Sequence, residues 1–156
     1  MKLDLDALRA LIATHADTPG GLMPALHAVQ AAIGHVPPEV VPLLADTFNL
    51  SRAEVHGVVT FYHHFRQTPP GLHQIEVCRA ESCQAMGSDA LEAHVEHKLG
   101  CKHHDKSADG RWSLEPVYCL GLCAMSPAIA IDGQPHARMT PEKFDRLVAA
   151  LGDGAQ

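Results

Sequence analysis

The sequence predicts an α/β protein in which an N-terminal helical bundle precedes a domain that mixes strands and helices. Apolar residues recur at helical spacing in the first half of the chain and alternate, as in strands, in several later segments. The segment Thr68-Pro69-Pro70-Gly71 separates these halves, because proline lacks an N–H and restrains the residue before it. We therefore predict two domains, residues 1–71 and residues 72–156.

Four short helices are predicted in the first domain. Gly34 ends the second helix, and Pro37-Pro38 fits the start of the third. Ser51 and Glu54 have the capping-box spacing, in which each side chain satisfies an unpaired N–H at a helix start. Helices of this length are not stable alone, so they must pack on one another or on a partner. Their apolar stripes are Leu5, Leu8 and Ile12; Leu22, Leu26, Val29 and Ile33; Val40, Leu43, Leu44 and Phe48; and Val55, Val58, Tyr62 and Phe65.

The second domain is predicted to begin with a strand, a helix and a second strand. The segment Leu72–Cys78 alternates as a strand does, and Trp112–Tyr118 is the second strand. Between them lie a helix, roughly Cys83–Leu99, and a polar loop, Gly100–Arg111. The helix is predicted to direct four apolar side chains to the core: Met86, Leu91, Val95 and Leu99.

A hairpin and a final helix are predicted to follow. The apolar run Ala128–Ile131 suits a buried strand, Asp132-Gly133 is a two-residue hairpin signal, and Gln134–Arg138 is the returning strand. Thr140-Pro141 fits the start of the last helix and Gly152 fits its end. The apolar stripe of this helix is Phe144, Leu147, Val148 and Leu151.

The predicted order of elements defines a topology. A strand–helix–strand crossover makes the first two strands parallel, with right-handed connection. The complete order, βαβ followed by ββα, is that of the thioredoxin-like fold. In such a sheet, the loops that leave the carboxyl ends of parallel strands meet at one edge, where open α/β sheets usually hold ligands.

Four of the five cysteines lie on two loops of this kind. Cys78 and Cys83 follow the first parallel strand, and Cys119 and Cys123 follow the second. These four cysteines are the candidate metal ligands. Cys101 lies in the polar loop and is interpreted as a free thiol.

Four converging thiolates admit three interpretations. They could hold a [2Fe–2S] cluster, in which each iron takes two cysteines, or a structural zinc ion with four cysteines. They could also be redox-active or inert thiols without a metal. The spacers of four and three residues favour two irons over one zinc, and the lack of a Cys-x-x-Cys motif disfavours a thioredoxin-type dithiol. Spacing alone leaves all three open.

The residues around the cysteines suit an anionic cluster. Arg79 adjoins Cys78, and Cys83 is predicted near a helix N-terminus, where negative charge is favoured. Gly121 lets backbone N–H groups approach sulfur without a Cβ in the way. The nearby apolar residues either exclude water from the site or belong to the core: Leu120, Leu122, Ala124 and Met125.

Charge and patterning narrow the class of partner. The chain has 12 Lys and Arg against 18 Asp and Glu, a net charge of −6, which disfavours nucleic acid and anionic membranes. The uncharged run at residues 116–131 is interrupted by Gly and Pro and is too short for direct membrane insertion. Residues 1–13 read as an amphipathic helix and not as a signal peptide, so we expect a cytoplasmic location. No nucleophile–base pair or dinucleotide-binding glycine loop is recognisable, so no catalytic residues are assigned.

Two further groups of residues have open interpretations. The adjacent pairs His63-His64 and His103-His104 do not share a helix face and are interpreted as solvated or interface histidines. Phe61, Tyr62 and Phe65 either pack inside the helical domain or dock on another protein.

The cysteine motif resembles that of one family. Cys78-x4-Cys83 with Cys119-Leu-Gly-x-Cys123 resembles the thioredoxin-like [2Fe–2S] subunit family, which includes the small ferredoxin subunit of NADH:quinone oxidoreductase (complex I). The segment 55–62, VHGVVTFY, is similar to the family's Gly-Val-x-Thr-Phe-Tyr segment. The resemblance covers nearly the whole chain. It implies one [2Fe–2S] cluster per chain, bound by Cys78, Cys83, Cys119 and Cys123.

The continuation His63-His64-Phe65-Arg66 most resembles the gamma subunit of molybdenum-dependent, NAD-linked formate dehydrogenase. This resemblance implies a non-catalytic electron-transfer subunit. Its partners would be a flavoprotein subunit that binds FMN and NAD(H), and a larger iron–sulfur and molybdenum catalytic subunit. The alternatives are the equivalent subunit of complex I or of an NAD-linked hydrogenase. A zinc-stabilised binding module is the non-redox alternative.

Overall fold

The computed structural model describes residues 4–153 of the chain. The described chain forms two compact units, which divide between Pro69 and Pro70. The predicted start of the first helix at Met1 lies outside the described residues, as do residues 154–156 of the predicted second domain. In the described part of the chain, none of the helices combines the length and the apolar composition of a membrane span.

The regular elements in the described residues of the N-terminal unit are helices. Gly34 adopts a φ of 84° and ends the second helix as predicted. The capping box is also confirmed, because the Glu54 N–H donates to Ser51 Oγ at 3.2 Å and the Ser51 N–H donates to the Glu54 carboxylate at 2.8 Å. The elements are α1 Leu5–Ala13, α2 Leu22–Ile33, a 3-10 turn Pro38–Val40, α3 Val41–Phe48 and α4 Arg52–Phe61.

The apolar stripe predicted for α4 is partly wrong. The helix ends at Phe61, and the next residue, Tyr62, has an extended backbone and is 45% exposed. Phe65 is buried, but from a turn beyond the helix, in which its N–H donates to the Tyr62 carbonyl at 2.9 Å. The stretch before the end is Val58-Val59-Thr60, whose β-branched side chains weaken a helix and help to explain its early end.

Gln30 in α2 binds the segment that follows α4. Its buried side chain donates from Nε2 to the His64 carbonyl and accepts at Oε1 from the Arg66 N–H, each at 2.8 Å. We expect Gln30→Ala to lower the free energy of unfolding by about 1–3 kcal/mol, because both backbone groups lose their partner. Urea unfolding measures this change. Gln67→Ala is the control, since Gln67 is an exposed glutamine of the same segment, and equal losses in the two variants would contradict the assignment.

The C-terminal unit contains a five-stranded mixed sheet in the order β2-β3-β1-β4-β5. Strands β1 and β3 are parallel, with Cys78 opposite Val117, and β4 runs antiparallel to β1. This confirms the predicted βαβ-ββα order, with β2 as an added edge strand inside the predicted polar loop. The elements are β1 His73–Cys78, α5 Glu81–Ala85, α6 Ser88–Leu99, β2 Asp105–Lys106, β3 Trp112–Val117, a 3-10 turn Cys123–Met125, β4 Ile129–Ile131, β5 Gln134–His136 and α7 Pro141–Asp153.

The single helix predicted over Cys83–Leu99 is wrong, because the chain forms two helices here. Gly87 separates α5 from α6 with a φ of 90°, a conformation that breaks a right-handed helix and suits glycine. As a consequence Met86 is 62% exposed instead of facing the core. The other three predicted core residues of this segment are buried as expected: Leu91, Val95 and Leu99.

The hairpin and the last helix follow the prediction closely. Asp132 and Gly133 have φ values of 50° and 78°, as the tight two-residue turn requires. The Thr140 hydroxyl accepts from the Lys143 N–H at 3.2 Å and so caps α7. Gly152 does not end this helix, which continues to Asp153.

Candidate metal centre

Two cysteine-bearing loops leave the same edge of the sheet in the C-terminal unit. Cys78 is the last residue of β1, and Cys119 lies two residues beyond the end of β3. Because β1 and β3 are parallel neighbours in register, the chain segments after them emerge side by side. Cys83 lies in the short helix α5, and Cys123 begins the 3-10 turn.

The first pair of cysteines is buried. Cys78 is 2% exposed and Cys83 is 3% exposed. Ala128 completes this small buried cluster, and the half-buried side chains of Leu120 and Leu122 pack against it. Part of the apolar loop predicted from the sequence therefore shields these two sulfurs, whereas Ala124 and Met125 are exposed.

The second pair is exposed and its sulfurs are close. The distance between the Cys119 and Cys123 Sγ atoms is 3.8 Å. The Gly121 N–H donates to Cys119 Sγ at 3.3 Å, as the sequence predicted for a glycine at this position. Gly121 has a φ of 75°, and Cys119 itself has a φ of 136°, which is rare for a residue with a side chain. The loop backbone is thus bent around a sulfur atom.

The surroundings set different pKa values for the thiols. Burial raises the pKa of Cys78. Burial also opposes ionisation of Cys83, but hydrogen bonds to Ser126, Cys78 and the Ala128 backbone outweigh it and hold the pKa of Cys83 below its ordinary value. The hydrogen bond to Cys119, and then the charge of Cys119, raise the pKa of Cys123. Of the buried pair, Cys83 is therefore the thiol that ionises first.

Two serines connect the cysteine loops, and neither was predicted from the sequence. Ser82 Oγ donates to the Cys123 carbonyl at 3.0 Å and lies 2.8 Å from Ser126 Oγ. Ser126 Oγ lies 3.5 Å from Cys83 Sγ and 3.1 Å from the Cys123 carbonyl. The signal was present in the sequence, since each serine is a polar residue beside a cysteine loop, but polar loop residues are too common to be singled out. The Ser126–Pro127 peptide is cis.

Arg79, the residue after Cys78, forms ion pairs with two carboxylates. Its guanidinium contacts Glu92 at 3.1 Å and Asp89 at 3.5 Å, so that its charge is shared with two carboxylates of α6. Glu92 is 7% exposed and also contacts His103. The contact ties the residue after Cys78 to α6 and gives a buried carboxylate its partners.

Cys101 belongs to a different part of the unit. Although it follows α6 in the predicted polar loop, it is 5% exposed and packs in the main core with Trp112 and Leu99. Burial, and then the carboxylates of Asp105, Glu96 and Asp109, raise the pKa of its thiol. Cys101 therefore stays protonated and is a poor metal ligand.

The four remaining cysteines form two pairs whose surroundings suit a metal group held by thiolates. Across residues 4–153, no three His, Cys, Asp or Glu side chains are arranged around one point. The 3.8 Å between Cys119 and Cys123 matches the edge of a tetrahedral thiolate site with bonds of about 2.3 Å. An N–H donor and a hydroxyl stand beside sulfurs of the two pairs and suit an anionic group.

Comparisons with known proteins agree with this geometry. The family model described as thioredoxin-like [2Fe-2S] ferredoxin matches residues 8–152. An E subunit of the NADH-quinone oxidoreductase of Rhizobium meliloti (strain 1021) is 32% identical over 146 residues, which cover 94% of this chain and 87% of the relative. The E subunit of the NADH-quinone oxidoreductase of Escherichia coli (strain K12) is 36% identical over 124 residues, 80% of this chain and 75% of the relative.

Hydrogenases also contain similar chains. The HndA subunit of the NADP-reducing hydrogenase of Solidesulfovibrio fructosivorans is 32% identical over 130 residues, 83% of this chain and 76% of the relative. A crystal structure of an NAD+-reducing [NiFe]-hydrogenase in the H2-reduced state matches with a TM-score of 0.73 and 27% identity. The match covers 87% of this chain but only 23% of that hydrogenase chain, so it concerns a part of a longer protein.

Proposed function

The chain belongs to the thioredoxin-like [2Fe–2S] ferredoxin family, and from this premise we propose that it is the electron-transfer subunit of an NAD-linked oxidoreductase complex. Its cofactor is one [2Fe–2S] cluster. The observation that carries the proposal is the meeting of two cysteine loops at one edge of a parallel strand pair. The similar chains of NADH-quinone oxidoreductases and hydrogenases support the same class of complex.

The proposed ligands are Cys78, Cys83, Cys119 and Cys123. When bound, the cluster supplies transfer of one electron at a time. The chain itself provides four thiolates, the apolar cover over Cys78 and Cys83, and donors that offset negative charge on sulfur. Electrons reach a partner through the side of Cys119 and Cys123, because these are the exposed ligands. Residues 1–71 are proposed as the helical domain and residues 72–156 as the cluster domain.

Within this class, formate dehydrogenase is our more specific proposal. It is supported by His63-His64-Phe65-Arg66 after the Gly57–Tyr62 segment, where the chain resembles the gamma subunit of the molybdenum-dependent enzyme. The partners would then be a flavoprotein subunit that binds FMN and NAD(H) and a larger iron–sulfur and molybdenum subunit, all in the cytoplasm. The equivalent positions in complex I and in an NAD-linked hydrogenase are the competing assignments, since the similar chains come from those complexes.

Metal analysis of the isolated chain tests the cofactor. Protein purified without oxygen should be brown and contain about two irons and two acid-labile sulfides per chain, and a rhombic EPR signal should appear on reduction. A colourless protein that contains zinc, lacks iron and unfolds with a chelator would overturn the proposal and favour the zinc-stabilised module.

Isolation of the native complex tests the parent enzyme. An affinity tag on this chain should retain a flavoprotein and a molybdenum-containing subunit, and the preparation should reduce NAD+ with formate. Nickel in the preparation, with hydrogen-dependent NAD+ reduction, would instead assign the chain to a hydrogenase. Membrane subunits and quinone reductase activity would assign it to complex I.

A further inference from the structure

The hydroxyl groups of two serines form a chain of contacts that ends at Cys83, one of the proposed ligands. Ser126 Oγ is 3.5 Å from Cys83 Sγ, and Ser82 Oγ is 2.8 Å from Ser126 Oγ. Ser126 is 9% exposed and Cys83 is 3% exposed, so water does not readily replace these contacts. We propose that Ser126, supported by Ser82, donates a hydrogen bond to the Cys83 thiolate and thereby raises the reduction potential of the cluster. This proposal rests on the ligand set proposed above.

The proton positions explain why Ser82 is needed. Ser126 Oγ lies within hydrogen-bond distance of Cys83 Sγ, and the Cys123 carbonyl is an acceptor within reach of both serine hydroxyls. A ligating thiolate has no proton to donate and becomes an acceptor. The Ser126 proton is then free to turn to Cys83 Sγ, because Ser82 still donates to the Cys123 carbonyl at 3.0 Å. Without Ser82, Ser126 would have to serve two acceptors with one proton.

The expected direction follows from charge. Reduction adds one negative charge to the cluster and its thiolates, and a hydroxyl donor stabilises the more negative state more strongly. Loss of the donor therefore disfavours reduction. We expect Ser126→Ala to change the ratio of reduced to oxidised cluster about tenfold at a fixed potential, which corresponds to a potential about 59 mV more negative for one electron.

The test is a redox titration of the full chain with its cluster, followed by EPR. Iron and sulfide content are measured first in every variant, so that failure to assemble the cluster is distinguished from a changed potential. Lack of iron and sulfide in the wild-type chain would instead count against the proposed ligand set. Ser126→Ala should retain wild-type iron content because Ser82 keeps the Cys123 carbonyl satisfied. Ser126→Thr should restore the potential to within about twofold of the wild-type ratio, since it keeps the hydroxyl. Ser82→Ala should shift the potential in the same direction as Ser126→Ala, but less.

Ser113→Ala is the matched control. Ser113 is a buried serine of β3 in the same unit, at 5% exposure, and its hydroxyl has no hydrogen-bond partner among the described residues. Its removal should leave the potential unchanged. A second readout is the hydroxyl proton of Ser126: deuterium ENDOR should show one exchangeable coupling in the wild type that is missing in Ser126→Ala, whereas the coupling from the Gly121 N–H should remain in both. An unchanged potential in Ser126→Ala at full iron content, or equal shifts in Ser126→Ala and Ser126→Thr, would overturn the proposal. If Ser126→Ala does not assemble, an unchanged potential in Ser82→Ala would overturn it.

Discussion

Replacing Cys83 by alanine should reduce the iron content of the purified chain at least about tenfold, from about two irons per chain. Cys83 is one of two buried thiols at the metal centre, and its low pKa makes it the thiolate of that pair formed first. Because alanine offers no donor atom, one iron would be left with an incomplete ligand set. Colorimetric iron and sulfide assays and the visible absorption spectrum measure the loss.

Cys101→Ala provides the matched control for this experiment. Cys101 is also a buried cysteine of the C-terminal unit, at 5% exposure, but it packs in the main core. The variant should retain its full iron content, with at most a modest loss of stability from the lost packing. Equal iron in Cys83→Ala and the wild type would show that Cys83 is not a ligand. Loss of iron from Cys101→Ala would indicate that Cys101 is also a ligand.

Replacing an exposed proposed ligand should lower the iron content as much as replacing a buried one. Cys119 is solvent-exposed, so Cys119→Ala removes little packing and tests ligation without a folding defect. We expect the same loss of iron as in Cys83→Ala, together with unfolding behaviour close to that of the wild-type chain without its cluster. Retention of iron in this variant would place the cluster on a different set of residues.

The position of the candidate site was predictable from the chain because it depends on topology. A strand–helix–strand crossover makes β1 and β3 parallel, and parallel strands bring the following loops to one edge. Cys78 and Cys119 therefore converge although 40 residues separate them in the sequence. The hairpin at Asp132-Gly133 was predictable for a similar reason, since its turn chemistry is local.

The details that were not predictable depend on tertiary contacts. Gly87 breaks the crossover helix, whereas the sequence pattern there remains compatible with a continuous helix. Likewise the segment after Phe61 is held by the side chain of Gln30, which lies more than 30 residues earlier. The roles of Ser82 and Ser126 also arise from contacts between two loops. Hydrophobic periodicity carries no information about such hydrogen bonds.

The aromatic residues after α4 now divide into two kinds. Phe65 is 5% exposed and its ring lies 5.0 Å from the ring of His27, within the core of the N-terminal unit. Phe61 is 73% exposed, and its ring contacts that of Tyr62 at 5.0 Å. The sequence left open whether these aromatic residues pack inside the helical domain or dock on another protein, and neighbouring residues differ in this respect. Phe65 packs inside the unit, and Phe61 is available to a partner.

Phe65→Ala should lower the free energy of unfolding of the N-terminal unit by about 3–5 kcal/mol, the usual cost of removing a buried aromatic ring. Phe61→Ala should change it by no more than about 0.5 kcal/mol, since an exposed ring loses little burial. Urea unfolding of the full chain, followed by circular dichroism of the helices, measures both. Similar losses in the two variants would contradict the difference in burial.

The same pair of variants separates folding from assembly. Phe61→Ala remains folded, so any loss of the flavoprotein from a tagged preparation of this variant reports a contact made by the exposed ring. Wild-type recovery of the flavoprotein with Phe61→Ala would exclude this ring from the interface. Phe65→Ala cannot make that distinction, because the loss of core packing disturbs the segment 62–66 that Gln30 holds in place.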